Sequence, residues 1–441
     1  MRLTSLLLLV TVAVAPVVAQ QTTPEICGRF VEKDGFRTLY LWGTPEQRGF
    51  AQGYLLADTI LRSFEADLQK LMRGSRMKQY EKRLLKSIVP RFAFSADEEA
   101  ELAGMLKGIK AKLPADKCKL AGVDRPVSLL DLKALNTVGD WMALGCSTFA
   151  ISGAYTTDGK PAAARNFDFA GFRMVLDDQH VVVVNPSDST RRGYAGVSIP
   201  GCIGVITALN AEGVFISIHD VFIWAPWAAI RKNVPRLCAL RRIMMDVPAE
   251  GALEKSRELV QTWPTLYGNN VMIVTPKSGD GPFAGVLEYD NHRARDQGAA
   301  LRVLDHPGSE KELYLLCTNH HRNRKPKRDD PKRLCKRYNG LKGAVAAREK
   351  KALSVPEMFE TLSVAAFPRN GKPQERYHHG TTHQVVAFTG KRELHVRLGS
   401  VGKHITEITP VRVSVDEALA AAQPAKATAA PGGGDGGNGR N

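Results

Sequence analysis

Long apolar runs and acidic residues are both scarce in this 441-residue chain, which carries 61 Lys/Arg against 45 Asp/Glu, a net charge of +16. Met1 to Ala19 joins a basic start to an apolar run that is too short to span a bilayer well. No later segment is long and apolar enough to be a second span. We expect a signal peptide over residues 1–19, with a membrane anchor as the alternative, and therefore a soluble secreted or periplasmic protein.

Signatures of several chemistries are missing. The chain has no glycine-rich phosphate loop, no internal repeat and no His-Glu-x-x-His, the pair that places two zinc ligands on one helix face. We expect no cofactor and no metal. A metal hydrolase built from dispersed histidines is the alternative, and its candidate ligands are His320, His321, His378, His379 and His383.

Cysteine is sparse, and its count of seven is odd. In an oxidising compartment an odd count leaves at least one thiol free. If Cys146 is that thiol, the other six can pair, and we expect one or two disulfides without assigned connectivity. The alternative is that they are small buried apolar residues. They are Cys27, Cys118, Cys202, Cys238, Cys317 and Cys335.

Positive charge is concentrated in residues 322–337 (RNRKPKRDDPKRLCKR). The stretch has no interleaved aromatic residues, so we expect a solvated loop rather than a nucleic-acid site. Weak contact with an anionic cell surface is the functional role that it favours. We expect no nucleic-acid partner and no stable membrane insertion.

The predicted secondary structure of the chain changes at residue 146. Residues 20–145 predict a mainly helical leader, in which Thr44 caps a helix from Pro45 to about Met72 and Gly49 and Gly53 face a close neighbour. Residues 146–415 alternate strands with glycine turns and a few helices. Residues 420–441 are rich in Ala, Pro and Gly and predict a disordered tail. This order indicates an α+β fold with mainly antiparallel sheets.

The boundary itself carries the main motif. Gly145-Cys146-Ser147 opens a predicted hairpin that turns at Thr157-Asp158-Gly159-Lys160 and returns as Ala164-Arg165-Asn166-Phe167-Asp168. Such a hairpin brings an arginine and an aspartate beside a thiol. Strand alternation puts Arg165 and Asp168 on opposite faces, so we expect a turn or bulge if both are to face Cys146.

A cysteine attacks a carbonyl well only as a thiolate, so some group must accept its proton. Cys146 has no papain-like flanking sequence and no histidine near it along the chain. One solution is the cysteine's own α-amino group, since the pKa of such a group in a peptide is roughly 7.7–8.0. That requires the Gly145–Cys146 bond to break, and glycine tolerates the strained backbone that an N→S acyl shift needs. A histidine from a distant part of the chain is the alternative base.

An oxyanion hole needs hydrogen-bond donors. The strand that follows the turn at Asn210 ends near His219 and offers a backbone N–H there. The segment Gly268-Asn269-Asn270-Val271 offers a side-chain amide. Taken alone, Asn210 is an ordinary turn residue.

The segments GCSTFAISG, ARNFDF, LNAEGVFIS, GNNVMIV and CTNHH together resemble the choloylglycine hydrolase and peptidase C45 type of N-terminal-nucleophile (Ntn) amidases. The resemblance runs from about Thr44 to Gly399. It implies a four-layer αββα sandwich preceded by a helical leader, self-cleavage at Gly145–Cys146 and a small N-acylated substrate.

The resemblance also implies roles for single residues. Cys146 matches the nucleophile, Arg165 the arginine beside the thiol, and Asp168 the aspartate that holds the amino group. The other matches are Asn270 for an oxyanion donor, His219 for the backbone donor, Asn319 for a Thr-Asn-His element, and Arg337, or alternatively Arg333, for a later arginine. His321 departs from the aromatic residue expected after His320, which bears on the pocket more than on the chemistry.

The sequence therefore predicts an exported cysteine amidase that acts on linear C–N bonds, with acyl transfer as a second outcome. The rival hypotheses are a non-catalytic exported binding protein with a degenerate amidase fold and the metal hydrolase. In the plainest interpretation, Cys146 is a half-cystine or a buried thiol and Arg165 and Asp168 form a surface ion pair. The acyl group and the oligomeric state are left open.

Overall fold

A computed structural model describes residues 25–72, 79–140, 145–224, 232–276, 281–290, 298–303, 313–324, 335–349, 351–368 and 371–423. The predicted signal peptide, most of the predicted tail, Arg333 and much of the basic stretch 322–337 lie outside these ranges. Among the described residues, no helix has both the length and the apolar character that crossing a bilayer requires.

The leader, predicted to be mainly helical, opens with a β-hairpin. Its strands are β1 (Gly28–Lys33) and β2 (Phe36–Gly43). Helices α1 (Pro45–Leu55) and α2 (Ala57–Leu71) replace the single predicted helix and meet at Leu56. The other leader elements are a π-helix (Tyr80–Ile88), α3 (Ala96–Lys112), the short pair β3 (Lys119–Leu120) and β4 (Arg125–Pro126), and α4 (Leu129–Asn136).

Glycines let α1 and α3 approach to backbone contact. A Cβ atom added at Gly49 would lie 1.8 Å from the carbonyl oxygen of Glu101, and one at Gly53 would lie 2.1 Å from that of Met105. On α3, Gly104 and Gly108 meet the backbone of α1 in the same way. Larger residues at these positions would force the two helices apart.

The rest of the chain consists of strands with helices between them. Its strands are β5 (Gly145–Gly153), β6 (Gly159–Ala170), β7 (His180–Pro186), β8 (Tyr194–Ser198), β9 (Thr207–Asn210), β10 (Phe215–Trp224), β11 (Tyr267–Val274), β12 (Ala284–Tyr289), β13 (Ala300–Arg302), β14 (Tyr314–Cys317), β15 (His379–Phe388), β16 (Glu393–Leu398) and β17 (Val411–Ser414). Its helices are α5 (Arg173–Leu176), α6 (Arg236–Asp246), α7 (Ala252–Thr262), α8 (Lys336–Ala346), α9 (Val355–Ser363) and α10 (Val415–Ala421). Helix α10 runs two residues into the predicted tail.

Two large sheets hold these strands. One has nine strands in the order β1-β2-β7-β8-β9-β10-β11-β12-β13, and the other has six in the order β14-β5-β6-β15-β16-β17. Strands β2 and β7 pair in parallel, and the other pairs of neighbouring strands are antiparallel. The predicted α+β class with mainly antiparallel sheets agrees with this topology. The leader hairpin belongs to the larger sheet, so residue 146 does not separate two folding units.

Buried side chains alternate along the larger sheet, as expected for strands covered on both faces. Val181 and Val183 pack in one apolar cluster with Ala163 and Val385 of the smaller sheet. Val182 and Val184 pack in another with leader helices and α6. A third cluster joins the opposite face of the smaller sheet to α8 and α9.

The seven cysteines are all free thiols, and Cys335 alone among them is not fully buried. The expectation of one or two disulfides is therefore wrong. Their burial fits the alternative, in which most of them act as small apolar residues of the core.

Candidate active site

Cys146 is the second residue of β5 and is completely buried. Its strand pairs with β6 in an unbroken antiparallel register from Gly145↔Asp168 and Cys146↔Phe167 to Ile151↔Ala162. The predicted hairpin is therefore present. The bulge expected between Arg165 and Asp168 is absent from this pairing, because the two side chains approach Cys146 from opposite faces of the sheet.

The first of these faces holds the thiol. Arg165 Nη2 donates to Cys146 Sγ over 3.1 Å and to the carbonyl oxygen of Ile218 over 2.7 Å. Its Nη1 donates to the Thr207 hydroxyl and contacts His383 Nε2 at 3.1 Å. The guanidinium also lies 5.0 Å from the centre of the Phe167 ring.

Arg165 is fully buried, and none of its hydrogen-bond partners among the described residues is a carboxylate. Burial lowers the pKa of this arginine, and Cys146 is the largest influence acting against that shift. A buried cation without a counter-ion is costly. Among these hydrogen-bond partners, the Cys146 thiol is the group that can take up a negative charge.

The second face holds the backbone of Cys146 and the carboxylate of Asp168. Arg337 Nη1 donates to Asp168 Oδ2 over 2.8 Å and to the carbonyl oxygen of Cys146 over 2.9 Å. The Thr381 hydroxyl donates to Asp168 Oδ1 over 2.7 Å and accepts a bond from the Phe367 N–H. Asp168 is thereby fixed from two sides.

Asn319 completes this second set of contacts. Its Oδ1 accepts from the Cys146 N–H over 2.9 Å and from Arg337 Nη2 over 2.6 Å. Its Nδ2 donates to the carbonyl oxygen of Asp220 over 2.8 Å. Five sequence-predicted site residues, Cys146, Arg165, Asp168, Asn319 and Arg337, therefore lie together.

The Cys146 thiol is held in its protonated form. Burial raises its pKa to about 12, the charges of Asp168 and Asp220 act in the same direction, and Arg165 and Arg337 oppose the shift. No histidine among the described residues makes a hydrogen bond to this sulfur. Some other group must take the proton before the sulfur can attack.

The two remaining predicted residues hold neighbouring structure. Asn270 Nδ2 donates to the carbonyl oxygens of Thr318 and His320, both over 2.9 Å, so its amide hydrogens are already committed to the loop that carries Asn319. His219 Nε2 lies 2.7 Å from the Thr148 hydroxyl, and its Nδ1 lies 3.3 Å from the carbonyl oxygen of Asn270. Burial lowers the pKa of His219 well below its ordinary value, so the ring is neutral.

The loop 318–324 is fixed from a second side by Glu288. This buried carboxylate accepts bonds from the backbone N–H groups of Arg322, Asn323 and Arg324 and pairs with Arg302 at 3.0 Å. The cationic partners and the N–H donors lower its pKa. Asn319 is therefore presented by a loop that is held at both ends.

Sequence reasoning missed Thr207 and Thr381 as site residues and offered His383 only as a candidate metal ligand. They lie 42 to 218 positions from the residues that they contact, and no local pattern links them to the hairpin. The pairing of β15 with β6 places Thr381 opposite Asp168, and this register is visible only in the assembled sheet.

The histidines offered as zinc ligands have separate neighbours. His320 contacts Thr318, His321 contacts the carbonyl oxygen of Asn269, His378 pairs with Glu375, and His383 lies against Arg165. Within the described ranges, no three His, Cys, Asp or Glu side chains gather closely enough to hold a metal ion.

No family model matches this chain, and no curated protein matches its sequence. In structure the chain is similar to an ortholog of N-acylethanolamine-hydrolysing acid amidase from Caenorhabditis elegans, at 15% identity and a TM-score of 0.40, over 56% of this chain and 93% of that one. It is similar to a mutant conjugated bile acid hydrolase from Clostridium perfringens (10%, TM-score 0.41, 62% and 93%). It is also similar to penicillin V acylase from Agrobacterium tumefaciens (10%, TM-score 0.36, 57% and 83%).

Proposed function

We propose that this chain is an exported cysteine hydrolase of linear amide bonds in small N-acylated substrates, matured by self-cleavage between Gly145 and Cys146. The observation that carries the proposal is the buried Arg165 guanidinium, 3.1 Å from Cys146 Sγ and hydrogen-bonded to no carboxylate among the described residues. A cation placed in this way favours the thiolate over the thiol. Export is inferred from residues 1–19 alone.

The other contacts support the proposed mechanism. After cleavage, Cys146 N becomes an α-amino group beside Asn319, and Arg337, itself paired with Asp168, donates to the carbonyl oxygen of Cys146. The amine takes the thiol proton, the sulfur attacks the substrate carbonyl carbon, and the amine returns the proton to the leaving nitrogen. Water then hydrolyses the thioester, or a second amine takes the acyl group.

The oxyanion of the tetrahedral intermediate needs donors, and we assign them to the backbone near His219 and to Asn319, whose Nδ2 exchanges its bond to the carbonyl oxygen of Asp220 for one to the oxyanion. Asn319 lies between Cys146 N and the carbonyl oxygen of Asp220, the residue after His219. Asn270 is better suited to hold the loop of Asn319, because its amide hydrogens are already donated.

We also infer the four-layer αββα order and a leader that stays bound after the cut. The alternation of buried residues between three apolar clusters supports the layering. Retention of the leader is supported by its two strands in the larger sheet and by the buried pair of Glu101 with Arg241, at 2.5 Å.

Replacement of the nucleophile tests the proposal. We expect purified wild-type protein to contain a chain that begins at Cys146, detectable by intact-mass spectrometry, and to hydrolyse a member of an N-acyl amide panel. Cys146→Ala should remain uncut and inactive, because it has no sulfur to attack either bond. Cys146→Ser should be slow in both reactions.

Three results would decide against the proposal. An active, processed Cys146→Ala protein would contradict the assigned nucleophile. Turnover that survives a thiol alkylator but not a chelator would favour the metal hydrolase. A wild-type chain that stays whole and acts on no member of the panel would favour a binding protein.

A further inference from the structure

The outer face of the Gly145–Cys146 junction holds one group that the proposed turnover chemistry does not use. His379 is the first residue of β15 and is exposed, whereas most of that strand is buried. A Cβ atom built on Gly145 would lie 3.2 Å from His379 Nε2 and 3.1 Å from the Cβ atom of Asp168. The imidazole therefore lies directly against Gly145, the residue whose carbonyl carbon must be separated from Cys146 in self-cleavage.

The His379 ring is free to transfer a proton. It makes no hydrogen bond or ion pair with any described residue, and it is fixed by edge contact with the Phe367 ring at 5.5 Å. Phe367 in turn lies 5.6 Å from the Arg337 guanidinium. His379 is thus held in place by packing while its nitrogens remain available.

The charged groups that face His379 are Asp168 on β6 and Arg337 on α8. Partial burial is the largest influence on the ring and lowers its pKa, Asp168 acts against that shift, and Arg337 adds to it. His379 is therefore neutral at pH 7 and can accept a proton.

Self-cleavage has two chemical stages, and the two faces of the sheet suit one stage each. In the first stage Cys146 Sγ attacks the Gly145 carbonyl carbon, the C–N bond breaks, the thiol proton ends on the Cys146 nitrogen as it leaves as an amine, and a thioester forms. The sulfur and Arg165 lie on the inner face. In the second stage water attacks the same carbon, the C–S bond breaks, and the electron pair leaves on sulfur as a thiolate beside Arg165.

We propose, on the basis of the proposed function, that His379 is the general base of this second stage. Its Nε2 accepts one proton from the attacking water, the second proton passes to solvent as the new carboxyl group ionises, and the leader ends in a Gly145 carboxylate. A general base acts within hydrogen-bond reach of the proton or through one water, which the position of Nε2 beside Gly145 allows. His379 has the solvent access that the buried junction lacks.

The test follows cleavage of the freshly purified full-length chain by intact-mass spectrometry. We expect His379→Ala and His379→Gln to lower the rate of appearance of the chain that begins at Cys146 by about 10²-fold or more. His378→Ala is the matched control, because His378 is the exposed neighbour paired with Glu375 at 2.7 Å. It should cleave at the wild-type rate. Thermal unfolding verifies that each variant is folded.

Two rescues separate a chemical role from a structural one. Imidazole should restore cleavage of His379→Ala. Hydroxylamine should restore it too, because it attacks the accumulated thioester directly and leaves a hydroxamate on Gly145. Wild-type cleavage should slow as pH falls through a value below the ordinary histidine pKa, whereas hydroxylamine cleavage of the His379→Ala thioester should not follow that titration.

Normal cleavage of the His379 variants would overturn this inference and leave the proposed function standing. Slow cleavage that neither reagent restores would also overturn it, because His379 would then act before the thioester or only through the fold. A wild-type chain that is never cut at Cys146 would end both this inference and the proposed maturation. The variant and wild-type chains therefore distinguish the two failures.

Discussion

Two arginines are completely buried near the proposed site, and their surroundings differ in charge. Arg236, at the start of α6, lies between the carboxylates of Asp140 and Asp220, both of them also buried. Arg165 lies among a thiol, a hydroxyl, a neutral imidazole and a backbone carbonyl. Arg236 has two carboxylate partners, whereas Arg165 is hydrogen-bonded to no anionic side chain in the described part of the chain.

Under the proposed function, this difference separates a structural arginine, Arg236, from a functional one, Arg165. Removing a balanced buried cation leaves uncompensated carboxylates, which destabilises a fold strongly. Removing Arg165 leaves neutral groups behind, so its loss should cost little stability. Under the proposed function, the charge that Arg165 stabilises is that of the Cys146 thiolate formed during the reaction.

The largest expected effect on stability is that of Arg236→Met. It leaves Asp140 and Asp220 buried without their cation, and we expect a loss of roughly 3–5 kcal/mol of unfolding free energy. Denaturant unfolding measures it. Arg392→Met is the control, because Arg392 forms an exposed pair with Asp416 at 2.6 Å and should change stability by less than about 1 kcal/mol. Equal stability of the Arg236 variant and wild type would remove the basis of the comparison.

Arg165→Met should affect activity more than stability. We expect kcat/KM of matured protein to fall by at least about 10²-fold, because the thiolate loses its cation in a buried site. Unfolding free energy should change by less than in Arg236→Met. The pH dependence of thiol alkylation adds a readout that mere misfolding would not give, since the Cys146 pKa should rise. An Arg165 variant with wild-type reactivity would contradict the role assigned to this residue.

The half of the site that lies on one hairpin was predictable from sequence. Cys146, Arg165 and Asp168 sit in β5 and β6, whose alternation and turn are local patterns, and β-pairing then brings them together. Asn319 and Arg337 came from resemblance, since their contacts with Cys146 span 173 and 191 positions. The regular β5–β6 pairing shows that a thiol and the backbone of the same residue can be contacted from opposite faces of one strand.

What the sequence could not decide depends on three-dimensional distance. Asn270 lies in the first half of one strand, and Asn319 follows the end of another. Only the hydrogen bonds show that Asn270 holds the loop that carries Asn319. The count of cysteines suggested disulfides, but pairing depends on geometry that a count does not contain. The break between α1 and α2 at Leu56 has neither proline nor glycine to mark it.

The smallest expected effect concerns Asp140, because Arg236 carries one positive charge and lies beside two buried carboxylates, Asp140 and Asp220. Burial, together with the nearby Asp220, raises the pKa of Asp140 to about 7, with Arg236 acting against the shift. A raised carboxyl pKa means that the folded protein binds more protons than the unfolded chain, so this contribution to stability is full below about pH 4 and is lost as pH rises through about 7.

Asp140→Asn should remove that slope, because the amide is neutral at every pH while its oxygen can still accept the Arg236 N–H, a bond of 3.2 Å in the native chain. The measurement is the difference in unfolding free energy between variant and wild type from about pH 4 to pH 8. We expect the unfolding free energy of Asp140→Asn to increase relative to that of the wild type as pH rises. A difference that does not vary with pH would mean that Asp140 is already ionised across this range, and that Arg236 balances two full charges instead of one.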